Sequence, residues 1–429
     1  MAIDRRELFV GAGLIGLAGP ALLSQAMAQA APAQPSRAER IAAAAREHRH
    51  RIDFRGGRFS GPGWDQLVAR GRESHFFLLG EQHGISENAR LAGALFAALA
   101  PAGYAHVAVE ISPPMASEMD RVLREGGLDA LRGLFDDPGS KVAFFGMREE
   151  AEWLAAARAA LPGGRPFLWG MDYEVAADRH LIAMLMAKRK PAGAEAALGR
   201  IESASAAAWA LYARTRDLQE AYTFTGDPAL VRALRAAWPR ADAEAAVILD
   251  TLEGTFEANQ LWRQSRGHES NARRAALMRA NFLRYWRAEK AAAPAGHTPR
   301  LMMKMGSNHM MRGLTPTDVF DLGTLVPEIA AAEGAKAYQL LVMNGLGTQT
   351  AQFDARTFTY RSAPESEMHA ELAPIFGQAF AEGFTLFETA PLRAIARTGA
   401  DGLHPDLVRA VHGHDAILLL SGSTPSANL

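Results

Sequence analysis

Two short apolar runs in this 429-residue chain stop abruptly on residues that can carry charge or protons. His75-Phe76-Phe77-Leu78-Leu79-Gly80 leads into Glu81-Gln82-His83-Gly84, and Tyr104-Ala105-His106-Val107-Ala108-Val109 leads into Glu110. As strands, they place Glu81, His83 and Glu110 at the carboxyl ends of two neighbouring strands, where open α/β sheets put their ligands. Imidazole titrates near neutrality and can take a proton from water or an alcohol. A nearby carboxylate can orient the ring and stabilise its protonated form. Crowded carboxylates can instead share a proton or ligate a divalent cation, and a mixed His/carboxylate set suits Mn, Fe, Co or Zn.

Two further runs end the same way. Phe167-Leu168-Trp169-Gly170-Met171 gives Asp172 and Glu174, and Leu301-Met302-Met303-Lys304-Met305-Gly306 gives Asn308 and His309. In a parallel sheet these ends share one edge, so two histidines and three or four carboxylates surround one crevice. Taken singly, each residue also has a plain structural reading. A Gly-Glu at a strand end can cap the next helix, and Glu110 can be a helix N-terminal charge. His106 reads as structural, and His412 and His414 as solvent-facing at the amino end of the last strand. The Met302 to Met311 run reads as core packing.

The elements that position these residues follow from pattern. Strands are expected over 75–80, 106–110, 166–170, 300–305, 337–343 and 415–421, alternating with helical segments. That alternation implies an α/β fold with a mostly parallel sheet flanked by helices. Ser86 is a natural N-cap for a helix carrying Leu91, Leu95, Phe96 and Leu99 on one face. Residues 175–298 carry almost no strand signal and are rich in Ala, Leu, Arg and Glu, which reads as a helical insertion that caps the site. The core therefore divides into 46–174 and 299–429.

The amino-terminal residues read as a targeting segment. Arg5-Arg6-Glu7-Leu8-Phe9, a modestly apolar Val10 to Leu23, and Ala26-Met27-Ala28 fit a twin-arginine signal over 1–30, cleaved after Ala28 or Ala30. This implies export to the periplasm, with a linker over 31–45 and no stable membrane span after processing. Net charge is -1 and there is no cysteine. Bulk charge thus calls for no nucleic acid, and disulfides, thiolate nucleophiles and Cys-based zinc sites are excluded. A serine nucleophile elbow, a phosphate loop and His-Glu-x-x-His are missing; Gly11-x-Gly13-x-x-Gly16 fits a dinucleotide fingerprint only by falling in the signal.

The ordered set of motifs resembles the erythromycin esterase-like/ChaN-like/Tiki superfamily. It comprises Leu79-Gly80-Glu81-Gln82-His83-Gly84, Val107-Ala108-Val109-Glu110, Glu149 to Leu154 with Phe167 to Asp172, Arg274-x-x-x-Met278-x-x-Asn281, Met305 to His309 and Asp415 to Leu420. The resemblance implies that His83 is general base on a water, helped by Glu110. It implies supporting roles for Glu81 and His309, with Asp172, Glu174, Asn308 and Arg90 toward a small-molecule substrate. Gly-Glu-x-His is shorter than the esterases' Gly-Glu-x-x-His and closer to the ChaN and Tiki branches. Those branches imply haem binding or a metal-dependent peptidase, with Glu81, His83, Glu110 and His309 as metal ligands. The resulting expectation is an exported hydrolase of an ester-type carbonyl. The rivals are a haem- or metal-binding protein and a scaffold with a decayed site.

Overall fold

The apolar runs become the centre of a nine-stranded sheet. The computed structural model describes residues 34–345, 348–364, 370–397 and 402–429, so the expected signal over 1–30 lies outside the described residues. Residues Ser36–Leu429 form one compact unit. Its strands are β1 (Arg49–Arg55), β2 (Arg58–Ser60), β3 (Phe76–Glu81), β4 (Tyr104–Val109), β5 (Leu168–Gly170), β6 (Arg300–Gly306), β7 (Ala337–Asn344), β8 (Gln349–Asp354), β9 (Thr359–Pro364), β10 (Phe384–Glu388) and β11 (Ala416–Leu420). The sheet order is β2-β1-β10-β11-β7-β3-β6-β4-β5, and β8 and β9 form a separate hairpin. All six expected strands lie side by side and parallel, from β11 across to β5. The wing of β10, β1 and β2 is antiparallel.

One expectation is corrected. β3 and β4 are not neighbours, because β6 lies between them. Glu81 is in register with Gly306 and Val109 with Lys304, so Glu81 and Glu110 flank the end of β6 from opposite sides. A strand that arrives some 200 residues later thus brings Gly306 beside both glutamates and His309 to Glu110.

Both faces of the parallel strands are buried, which is why they read as continuous apolar runs. Phe77, Leu79, Val107, Val109 and Met302 face one side, in a core shared with Leu91, Leu95, Phe96 and Leu99 of the helix Ser86–Leu99. Phe76, Leu78, Ala108, Leu301, Met303 and Met305 face the other, against Met278, Phe282 and Trp286. Each such buried Val, Leu, Phe or Met side chain contributes roughly 1.5–3 kcal/mol. Met310 and Met311 are buried as well, so the methionine run is core.

The segment 175–298 is helical throughout its regular structure, from Asp178–Ala187 to Gly267–Ala292. Its last helix differs from a cap. Met278, Phe282 and Trp286 recur every fourth residue on one face and pack onto the sheet, so Gly267–Ala292 is a core layer. The expected linker over 31–45 also differs. Arg37–Glu47 is a helix started by a Ser36/Glu39 capping box, and it buries Ile41 and Ala45. Ser86 is the first helical residue rather than the cap, and its hydroxyl pairs with Thr424. His412 is exposed as expected, but His414 is buried, and burial lowers its pKa to about 4.

Candidate active site

His83 stands just past β3 with a carboxylate on each side. Its Nδ1 lies 3.0 Å from Glu81 Oε1, and its Nε2 lies 3.4 Å from Glu110 Oε2. Glu110 is held from every direction. Arg274 donates to Oε1 at 2.7 Å, His309 Nε2 lies 3.3 Å from the same oxygen, and the Gly306 N–H donates to Oε2 at 2.7 Å. Glycine at 306 lets the two side chains close in, since a Cβ would sit 3.0 Å from His83 Nε2 and 3.2 Å from Glu110 Oε2 and would press on both.

Further groups fix this inner set. Arg274 binds Asp172 through Nε at 2.9 Å and Nη2 at 2.5 Å, over the face of Tyr173. His309 Nδ1 is 2.7 Å from Asp321 Oδ2. Lys304, buried mid-strand in β6, donates to Glu81 at 2.6 Å and to Glu150 at 2.7 Å; Glu150 also accepts from Trp153. Anions and cations alternate from Glu150 through Lys304, Glu81, His83 and Glu110 to His309 and Arg274.

The electrostatics follow from that alternation. Burial opposes the charged form of His83, but Glu110 and then Glu81 outweigh it and raise its pKa to about 9. His309 rises to about 10 against burial, through Glu110 and Asp321 and despite Arg274. Burial pushes the Glu110 carboxyl up, yet His309 and His83 hold it well below the usual range. Glu81 is also lowered, with Lys304 and His83 overcoming burial. At neutral pH the centre therefore consists of two carboxylates facing two imidazolium rings.

These groups floor a cavity of about 540 Å³. Glu81, His83, Glu110, Asn308 and His309 line it together with Arg274. Its walls are apolar, with Val142, Phe144, Phe353, Phe358 and Tyr360 among them. The β8–β9 hairpin supplies part of that wall, and Ala351 N–H donates to the Gly84 carbonyl at 2.8 Å. Asp172 and Glu174 do not line the cavity. Asp172 reaches it through Arg274, while Glu174 accepts from the N–H groups of Val175, Ala176 and Ala177 and from the Ser112 hydroxyl. Arg90 is half-exposed, 3.6 Å from Glu149, and also outside the lining.

The donor set does not fit a metal ion or haem iron. Both nitrogens of His83 and both of His309 face carboxylates, and the Arg274 guanidinium sits on Glu110 where a cation would have to approach. Among the described residues no group of three or more His, Asp or Glu is arranged to hold an ion.

Sequence reasoning passed over Arg274, Lys304, Glu150 and Asp321 as site residues. Two of them left a signal. A lone lysine inside Leu301-Met302-Met303-Lys304-Met305 must find buried carboxylates, and Arg274 opens the Arg-x-x-x-Met-x-x-Asn pattern whose Met278 packs on the sheet.

Comparison with solved structures gives the same architecture. A histidine-to-asparagine variant of the erythromycin esterase EreC, in its open conformation, superposes with a TM-score of 0.55 at 15% identity, over 85% of this chain and 94% of its own. The chain shares its overall fold with that esterase. A Bacillus cereus protein aligns with a TM-score of 0.54 at 14% identity, over 92% of this chain and 100% of its own. A succinoglycan biosynthesis protein aligns with a TM-score of 0.57 at 13% identity, over 91% and 98%. No family model and no curated protein matches the sequence.

Proposed function

We propose that this protein is a hydrolase in which His83 activates a water for attack on an ester-type or related carbonyl of a small molecule. The observation that carries the reading is the orientation of His83. Glu81 holds Nδ1, and Nε2 is left toward Glu110 at the cavity floor. In the reaction Nε2 takes a proton from water as the oxygen adds to the carbonyl carbon, and returns that proton to the departing alkoxide. Glu110, already neutralised by Arg274, His309 and the Gly306 N–H, stabilises the imidazolium while it exists. His309 and Arg274 supply positive charge near the oxyanion as it develops.

The deciding experiment is hydrolysis of an ester and lactone panel by the native protein and by His83→Ala. Loss of a general base lowers the rate by about 10²–10⁴, with thermal stability little changed. Retained turnover in His83→Ala would sink the assignment. Elemental analysis of the same preparation separates the rivals: activity without bound metal or haem supports water activation by His83, whereas about one Mn, Fe, Co or Zn per chain, or a haem spectrum, overturns it. We further propose export on the strength of Arg5-Arg6 and Ala26-Met27-Ala28. Among the described residues no helix is long and apolar enough to cross a membrane. Mass spectrometry of a periplasmic fraction, finding a chain that starts at Gln29 or Ala31, tests it.

A further inference from the structure

The His83 ring is stacked, at 3.8 Å between centroids and 15° between planes, on the ring of Phe144. Phe144 is an unusual place for that contact. Its φ of 63° lies in the left-handed region, which a bulky residue leaves unless its surroundings hold it there. The Phe144 N–H donates at 2.7 Å to the hydroxyl of Tyr360, on β9. Tyr360 is held in turn by one side chain. Its N–H donates to Asn428 Oδ1 at 2.7 Å, and its carbonyl accepts from Asn428 Nδ2 at 2.7 Å.

The segment around Asn428 is itself tied to the two loops that meet at the ring. Ser426 N–H donates to the carbonyl of Gly84, the residue after His83, and Leu429 N–H donates to the carbonyl of Gly146, two residues beyond Phe144. Between these ties, Arg148 N–H donates to Ala427. The segment therefore bridges the His83 loop, the Phe144 loop and the β8–β9 hairpin.

We propose that Asn428 and Tyr360 are positioning residues that act through Phe144 to fix the plane of the His83 imidazole. Glu81 at Nδ1 and Glu110 at Nε2 hold two points of that ring and leave it free to tilt about the line that joins them. The Phe144 face removes the tilt, so Nε2 keeps its aim into the cavity. The inference deepens the hydrolase reading and rests on it for its catalytic consequence, but the placement of the ring is measurable without any substrate.

The test uses the full chain with labelled histidine, His83 being assigned among the thirteen histidines by comparison with His83→Gln. A stacked aromatic ring shields the proton it covers, so the His83 Hε1 resonance lies upfield in the native protein. In Asn428→Ala and in Tyr360→Phe, which keeps the ring and removes only the hydroxyl, it moves downfield. On the ester panel kcat falls roughly tenfold or more with KM little changed, since a small misplacement of a reacting group is expensive in rate. Phe144→Tyr retains both readouts and Phe144→Leu loses both. An unmoved Hε1 in Asn428→Ala and Tyr360→Phe overturns the proposal, and so does a moved Hε1 with unchanged kcat. If the native protein hydrolyses nothing, the hydrolase reading and the catalytic half of this proposal fall, while the resonance still decides the positional half.

Discussion

Glu81, not Glu110, holds the Nδ1 side of His83. The geometry thus divides the two glutamates differently from the resemblance, which gives Glu110 as the residue that helps His83. Glu81→Gln keeps the size of the side chain but presents an amide that can donate to Nδ1, turning the ring to the wrong tautomer. A loss in kcat of up to about 10⁴ is expected, by analogy with replacement of the orienting carboxylate in a catalytic triad. Glu110→Gln still accepts from Gly306, and is expected to lose less at its optimum pH. Steady-state kinetics of the two variants on one ester ranks them, and the reverse ranking would return the orienting role to Glu110.

The pH dependence has a definite sign. Glu110 and Glu81 outweigh burial to raise His83 to about 9, so at neutral pH the ring carries the proton that a general base must lack. Activity is therefore expected to climb through pH 7 and 8 with an apparent pKa near 9. Removing the Glu110 charge takes away the largest contribution favouring imidazolium, so Glu110→Gln moves the limb to lower pH. A limb that stays in place, or a rate that falls as pH rises toward 9, contradicts the assignment. Stability runs the opposite way. His83 and His309 are raised in the fold, so their contribution is fully present below their unfolded value, about 6.5, and is lost as pH rises through about 9 and about 10. Urea unfolding at neutral and at alkaline pH shows the loss, and His309→Gln reduces it.

How much of this was legible depended on whether the signal lay within one segment. Phe76 to Glu81 and Leu301 to Gly306 are buried on both faces, so their composition alone marks them as strands, and all six expected strands form the parallel core. The antiparallel wing was not legible. β1 is Arg49-His50-Arg51-Ile52-Asp53-Phe54-Arg55, with Ile52 its one fully buried side chain, and its charges mask the strand. β10, Phe384–Glu388, is as long as β11 and was passed over. Neighbourhood was not legible either. The insertion of β6 between β3 and β4 is decided by long-range packing, and that one placement brings Lys304 to Glu81 and brings Gly306 and His309 to Glu110. Arg274 enters from a helix whose face is set by Met278, Phe282 and Trp286 against the sheet.

Lys304 makes the third prediction. It is buried between Glu81 and Glu150, and both contacts are short. Lys304→Met removes the cation that Glu81 and Glu150 share, leaving His83 as the counter-charge to Glu81 and only the Trp153 N–H on Glu150. Removing one partner of a buried ion pair typically costs about 3–5 kcal/mol. Urea unfolding at pH 7 is expected to show a loss of that order. The loss shrinks as pH falls, because protonation neutralises the orphaned carboxyls. The double variant Lys304→Met/Glu150→Leu recovers part of it at pH 7. A single variant as stable as the native protein would mean that the three groups do not interact as placed.

Gly84 links the His83 loop to the hairpin above it, and only glycine serves there. Its φ is +83°, and a Cβ would lie 2.2 Å from the Ala351 carbonyl oxygen and 2.9 Å from its nitrogen. Both partners are backbone, so neither can rotate away, and the Ala351 N–H donates to the Gly84 carbonyl itself. Gly84→Ala must therefore push β8 outward or distort the residue that follows His83. Left-handed backbone alone makes alanine unfavourable by about 1 kcal/mol or more, and the clash adds to it. The variant is expected to melt at lower temperature and to lose activity, because the displaced hairpin carries Phe353 and Tyr360 of the cavity wall. Native melting and native kinetics in Gly84→Ala would show that the hairpin does not sit against the His83 loop in solution. Loss of activity with native melting would place the effect in the loop rather than in the fold.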